Sequence, residues 1–242
     1  MLQTPSMNKK ATPDEALTPI TEGIWERRQP LRFFGLALGS RMTVVRLDSG
    51  KLWVHSPVPL DDHALAQMNQ LGEVGYVIAP NRLHHLQLNA MRNRYPNAEY
   101  WGSPGLAQKR QDFRFTGLLS DDARPNWHKE IQHKQLLGMP AVDEVAFFAQ
   151  QNKALIFTDC VFNLSHSTPT FTRLFFQLVG GVDQCRPPLE LKLLVRDKKQ
   201  FRSSIEAVFK WPFEIIVMSH GEVVRDRARD RLQQGYSWLF SA

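Results

Sequence analysis

Only two cysteines, Cys160 and Cys185, occur in the 242 residues, and neither belongs to a Cys-x-x-Cys pair, which argues against a disulfide framework or a cysteine-clamped structural zinc. This usage suits a reducing compartment, so a cytoplasmic protein is expected. No uninterrupted apolar run nears the ~18 residues of a membrane span, and the first residues contain no apolar signal region. A soluble protein without a membrane partner is the expectation. The chain also lacks a glycine-rich phosphate loop, a Gly-x-Ser-x-Gly elbow and any nucleic acid motif. Its net charge of +6 is compatible with an anionic partner, but the basic residues are scattered rather than gathered in one block, which weighs against nucleic acid.

What is present is enough apolar residue, 43% of the chain, to bury a sizeable core. Residues 1–17 are polar, with two prolines and a Lys9-Lys10 pair, and are expected to form a flexible N-terminal leader. Residues 18–242 are expected to form a single domain. Residues 42–47 and 51–55, rich in β-branched and aromatic side chains around a turn at 48–50, predict a β-hairpin. A helix capped by Asp61 and stopped at Gly72 follows, then an apolar strand at 75–79. Leu83, Leu86, Ala90 and Met91 predict one face of a second helix ending near Tyr95-Pro96. Residues 98–101 read as a strand, and Ser103-Pro104 as the N-cap and first position of a short helix.

This alternation implies a locally parallel sheet. Residues 145–148 and 154–157 predict a second hairpin. One or two helices fit 188–211, a last strand spans 213–218, and Val224, Ala228, Leu232, Tyr236 and Leu239 define a terminal amphipathic helix. The arginines of that helix interleave with Asp226 and Asp230, as on a solvated face.

The adjacent pair His84-His85 lies where the 75–79 strand gives way to the second helix, a junction at which α/β proteins place ligands. Asp159 and His220 occupy similar positions after later apolar strands. A carboxylate at a buried strand end needs a metal, a cation or several hydrogen-bond donors. Imidazole nitrogen and carboxylate oxygen suit zinc, iron or manganese. The same residues also fit a plainer role, with Asp159 capping a helix and the histidines bonding backbone. His55 and His166 are weaker candidates: the loop Ser56 to Pro59 after His55 would border the site and the polar loop around His166 would form a rim, while His63, His128 and His133 read as surface residues. Cys160, next to Asp159, reads as a buried apolar side chain.

The segments 79–85 (APNRLHH), 158–163 (TDCVFN) and 218–221 (MSHG), with the order of elements, resemble the metallo-β-lactamase-like superfamily, and most closely a poorly characterised bacterial domain-of-unknown-function branch with a Pro-Asn-x-x-His-His pattern. The resemblance runs from about Thr18 to the end. It implies an α/β fold: an αββα four-layer sandwich of two mixed β-sheets flanked by helices, with the metal site at one sheet edge. Hydrolytic members carry a His-x-His-x-Asp-His motif for two metals. Laid over this chain, its leading histidines fall on Pro80 and Arg82, its aspartate on His84 and its last histidine on His85. A further histidine falls on Met139, the bridging aspartate on Asp159 and the late histidine on His220.

Every position feeding the first metal is thus lost, and those of the second hold His84, His85, Asp159 and His220. The resemblance implies one divalent ion, zinc or iron, and no dinuclear β-lactamase. It points to a metal-dependent hydrolase acting on a small ester, lactone, amide or phosphoester, with Asp159 in the catalytic centre. Arg82 would bind an anionic substrate group at the vacated position, or else pair with Asp159 or Glu222. Two alternatives stand beside this: a non-catalytic binding or scaffold protein that kept the fold, and an iron-dependent oxidative enzyme.

Overall fold

The computed structural model describes residues 16–33, 36–164 and 185–240; His166 lies outside them. The first half runs β1 (Thr18–Thr21), β2 (Ile24–Gln29), β3 (Arg32–Phe33), β4 (Leu36–Ala37), β5 (Ser40–Arg46), β6 (Leu52–His55), α1 (Asp62–Leu71), β7 (Val74–Ala79), α2 (Leu88–Arg94), β8 (Glu99–Gly102), α3 (Pro104–Lys109) and β9 (Gly117–Leu118). The second runs β10 (Ile131–Gln135), β11 (Val145–Ala149), β12 (Ala154–Ile156), β13 (Phe162–Asn163), α4 (Leu189–Leu193), α5 (Lys198–Val208), β14 (Ile215–Val217), β15 (His220–Gly221), α6 (Ala228–Gly235) and α7 (Ser237–Phe240).

Two mixed sheets result. The larger has the order β1-β2-β5-β6-β7-β8-β9, antiparallel through β6 and parallel beyond it. The smaller has the order β10-β11-β12-β14, with β12 and β14 parallel. Alternation along the strands sorts side chains into three apolar layers. Ile24, Val45, Trp53, Tyr76 and Ile78 of the larger sheet pack against Val145, Phe147, Ile156 and Val217 of the smaller. Met42, Val44, Val54 and Val77 face outward beneath Met68 of α1, Met91 of α2 and Leu106 of α3. On the far side Ala146, Phe148, Leu155 and Ile216 are covered by Phe201 and Ile205 of α5, Leu232 of α6 and Leu239 of α7. Helix, sheet, sheet and helix therefore stack in four layers, the αββα architecture that the family resemblance implies.

Local chemistry sets the boundaries. Asp61 accepts from the Ala64 amide and Ser103 from the Leu106 amide, so α1 and α3 start at their caps. Asp197 caps α5 in the same way, which divides the 188–211 stretch into two helices. Helix α2 departs from expectation: it begins only at Leu88, and Leu83 and Leu86 are exposed. Residues 80–87 instead form the turn that carries the histidine pair. His133 is buried rather than superficial, because β10 turns Ile131 and His133 to the same covered face. The terminal aromatics pack on this chain, with Tyr236 fully buried and its hydroxyl donating to the Cys160 carbonyl at 2.8 Å. Leu17, at the end of the predicted leader, is buried and donates its amide to Gln67.

Candidate metal centre

The parallel pairs β6/β7 and β12/β14 end on the same side of the molecule, and the residues just after these four strands meet there. Such carboxyl ends are where open α/β sheets gather ligands. The segment after β7 supplies His84, the one after β12 supplies Asp159, and the one after β14 supplies His220. His220 Nε2 lies 3.1 Å from Asp159 Oδ1 and 3.3 Å from His84 Nε2, and His84 Nε2 lies 3.4 Å from Asp159 Oδ1. These are three donors of the kinds that bind zinc or iron, with their ligating atoms at the corners of a small triangle.

Each corner is held from behind. Asn81 accepts the amides of Leu83 and His84 on its Oδ1, at 2.9 and 2.8 Å, and so folds the turn that brings His84 inward. Its amide nitrogen donates to Asp159 Oδ2 at 2.6 Å. Ser56, after β6, meets His84 Nδ1 at 2.6 Å. His220 Nδ1 lies 2.6 Å from the Gly39 carbonyl, which can only accept; Nδ1 therefore carries a proton, and Nε2 is the nitrogen turned to the triangle.

Beneath the Asp159 loop sits Glu144, fully buried. Its carboxylate accepts the amides of Thr158 (2.8 Å), Asp159 (2.8 Å) and Cys160 (3.0 Å), and Asn81 Nδ2 stands 3.3 Å away. Glu144 thus shapes the loop that presents Asp159. The sequence reasoning assigned no role to Glu144 or Asn81, and placed Ser56 only in a loop that would border the site. The available signal was weak: a carboxylate directly before an apolar strand, and the asparagine of the Pro-Asn-x-x-His-His run.

The electrostatics are those of a buried anion facing two imidazoles. Burial works to raise the Asp159 carboxyl, but the charge of His84 and hydrogen bonds from His220 and His84 prevail and hold it well below the usual range. Burial works to lower His84, and the Asp159 carboxylate overcomes it, so His84 titrates above an ordinary histidine. Burial and the Asp159 charge lift Glu144 to about 7, against the amide bonds that favour its ionised form. Behind the triangle, His55 is completely buried, stacked on Trp53 and edge-on to Phe147. Burial, then the charge of His84, depress it to about 3. The Cys160 thiol is buried and pushed well above its usual value, as suits an inert packed side chain.

The triangle fits a small divalent ion. Four ligands at 2.0–2.1 Å in tetrahedral geometry stand roughly 3.3 Å apart, and the three edges here span 3.1–3.4 Å. The other two residues singled out in the sequence lie outside the triangle. His85 turns away from His84 toward α3, where Arg110 Nη1 approaches its Nδ1 at 3.1 Å. Arginine only donates, so this contact puts the His85 proton on Nε2. Arg82 is half-buried; its amide donates to the Val142 carbonyl and its own carbonyl accepts Lys109 Nζ. It forms no ion pair with Asp159 or Glu222, and Glu222 instead pairs with Arg28 at 2.7 Å. Pro80 and Met139 are both buried.

A family model described as Domain of unknown function (DUF4336) matches residues 21–183, more than half of the chain. No curated protein matches in sequence. Among solved structures, the chain is similar to the metallo-β-lactamase from Erythrobacter litoralis, with a TM-score of 0.65 at 13% identity over 92% of this chain and 96% of that one. The metallo-β-lactamase from Pontibacter korlensis gives 0.62 at 13% identity over 93% and 99%. The DIM-1 metallo-β-lactamase gives 0.63 at 12% identity over 95% and 99%. The chain therefore belongs to the DUF4336 family, a domain of unknown function, and its fold is that of the metallo-β-lactamases.

Proposed function

We propose that the protein is a metal-dependent hydrolase of small molecules with a single-ion centre on His84, Asp159 and His220. The observation that carries this is the triangle of two imidazole nitrogens and one carboxylate oxygen, with edges matching a tetrahedral ion. Burial of Pro80 and Met139 supports one ion rather than two, since neither offers a hard donor. A zinc or iron ion held there would supply Lewis acidity for polarising a substrate oxygen and activating water.

The chain's own residues prepare that chemistry. Asp159 turns Oδ1 to both imidazoles while Asn81 holds Oδ2, so the carboxylate stays ionised and fixed. Ser56 and the Gly39 carbonyl orient the two rings. His85 stays outside the ligand set because Arg110 engages Nδ1 and leaves the proton on Nε2. Arg82, whose guanidinium makes no hydrogen bond or ion pair among the described residues, would orient an anionic substrate group. The substrate class this reading accepts is an ester, lactone, amide or phosphoester.

The deciding experiment is calorimetric titration of chelator-treated protein with Zn2+, followed by turnover on ester and phosphodiester panels. The parent should bind one equivalent, Asp159→Ala and His220→Ala should lose it, and His85→Ala should keep it. Absence of stoichiometric binding, or equal binding by the Asp159 and His220 variants, would sink the proposal. A bound ion without turnover on any panel member would favour a binding protein instead, and a native iron content would favour oxidative chemistry.

A further inference from the structure

Arg41 is the most deeply buried cation among the described residues, 1% exposed, and the proposed reaction gives it no role. An arginine in such a place must satisfy a rigid fork of donors or impose a heavy desolvation cost. Its Nε is bonded to Glu26, its Nη1 to the Met218 carbonyl, and its Nη2 to the Gly221 carbonyl at 2.6 Å. The last two carbonyls flank His220 on either side. The same short stretch of chain makes two more contacts to that loop: the Gly39 carbonyl takes His220 Nδ1, and the Arg41 carbonyl lies 3.5 Å from Ser219 Oγ. The loop needs such a clamp, because Gly221 has φ +98 and a Cβ there would stand 2.2 Å from the Asn163 carbonyl, so its course is unusual and tightly enclosed.

We propose that Arg41 is a positioning residue for His220: its guanidinium grips the carbonyls before and after the histidine and holds the ring against Gly39, with Nε2 turned to the candidate metal. The proposal rests on the single-ion reading only where metal affinity is concerned; the orientation of the ring is independent of it. Glu26 completes the device. It neutralises Arg41 and also meets Arg28 at 3.0 Å, which in turn meets Glu222 beside the loop. A purely structural cation tying the two sheets together would not require both of its carbonyl partners to bracket one ligand.

The test compares Arg41→Lys, which keeps the charge but loses the fork, with Arg41→Met, which keeps length without leaving a buried charge and leaves Glu26 paired to Arg28. Arg28→Gln is the control at the exposed end of the network. In chelator-treated protein, nitrogen-proton NMR of the imidazoles reads the tautomer of His220, and Zn2+ titration reads affinity. The parent and Arg28→Gln should show His220 in a single state with its Nδ1 proton hydrogen-bonded. Whichever Arg41 variant folds should show mixed or exchanging tautomers, with Zn2+ affinity lower by about 10–100-fold. A folded Arg41 variant with the parent's tautomer overturns the proposal, even if Zn2+ binds. A parent that binds no Zn2+ while the Arg41 variants still lose the tautomer overturns the single-ion reading and leaves the positioning role standing.

Discussion

His55 should make the protein sensitive to mild acid, in an amount that follows from its surroundings. Its ring is 0% exposed between Trp53 and Phe147, Nδ1 has no hydrogen-bond partner, and Nε2 has only the Thr158 hydroxyl at 3.4 Å. A charged ring would place a second N–H where nothing accepts it. Burial first, and then the His84 charge, lower its pKa from 6.5 to about 3. Between those values the unfolded chain binds a proton that the folded chain refuses, so stability falls as pH falls below 6.5 and continues to fall toward 3. The slope approaches about 1.4 kcal/mol per pH unit, and by pH 5 the loss relative to neutral pH is about 2 kcal/mol. Urea unfolding of the parent and of His55→Phe, at pH 7 and pH 5 with chelator throughout, isolates this contribution, because the two proteins differ only at this ring. Phenylalanine retains the aromatic stack. The variant should lose about 2 kcal/mol less than the parent on acidification; parallel losses in the two proteins would refute the assignment.

Glu144→Ala strips the acceptor from three buried amides, those of Thr158, Asp159 and Cys160; with each orphan costing about 1–3 kcal/mol, thermal unfolding should show a loss of at least about 3 kcal/mol, and a loss under 1 would contradict the role given to that carboxylate. Gly221→Ala places a side chain at φ +98 and against the Asn163 carbonyl, so unfolding in urea should reveal a deficit of about 1–3 kcal/mol. Asp61→Ala removes the cap of α1, and circular dichroism melts at neutral pH should register about 1 kcal/mol. Because the cap amide of Ala64 and then the Arg27 contacts depress Asp61 below 3.8, overcoming a small opposing effect of burial, its contribution is present above that pH and lost as pH falls through the folded value. The gap between parent and Asp61→Ala should therefore narrow in acid, and a constant gap would count against the cap.

Legibility in the sequence tracked how local the cause was. The β5/β6 hairpin, α1 and α3 could be read because their turns and caps lie within a few residues of the elements they delimit. His84, Asp159 and His220 could be read because a polar side chain directly after a buried strand is conspicuous, and the family resemblance placed them together. The start of α2 could not. Leu83 and Leu86 keep helical spacing, but the Asn81 side chain captures the following amides and imposes a turn there. That same turn sends neighbouring imidazoles different ways, His84 to Asp159 and His85 to Arg110, a division that adjacency in sequence conceals. The supports of the site were also hidden. Glu144, Ser56, Arg41 and the Gly39 carbonyl act across separations that only the packed sheets close.

The distances along the chain between the three central residues carry a consequence for how the protein is made. His220 lies 61 positions after Asp159 and 136 after His84, so each partner arrives from a different stretch of the growing polypeptide. No early fragment contains the triangle, and closing such long loops is slow compared with forming helices and hairpins. The site is completed only when the stretch carrying His220 has joined the two sheets. An ion binding there would act as a late lock on the assembled fold, favouring it over any fragment or partly assembled form that lacks one of the three residues.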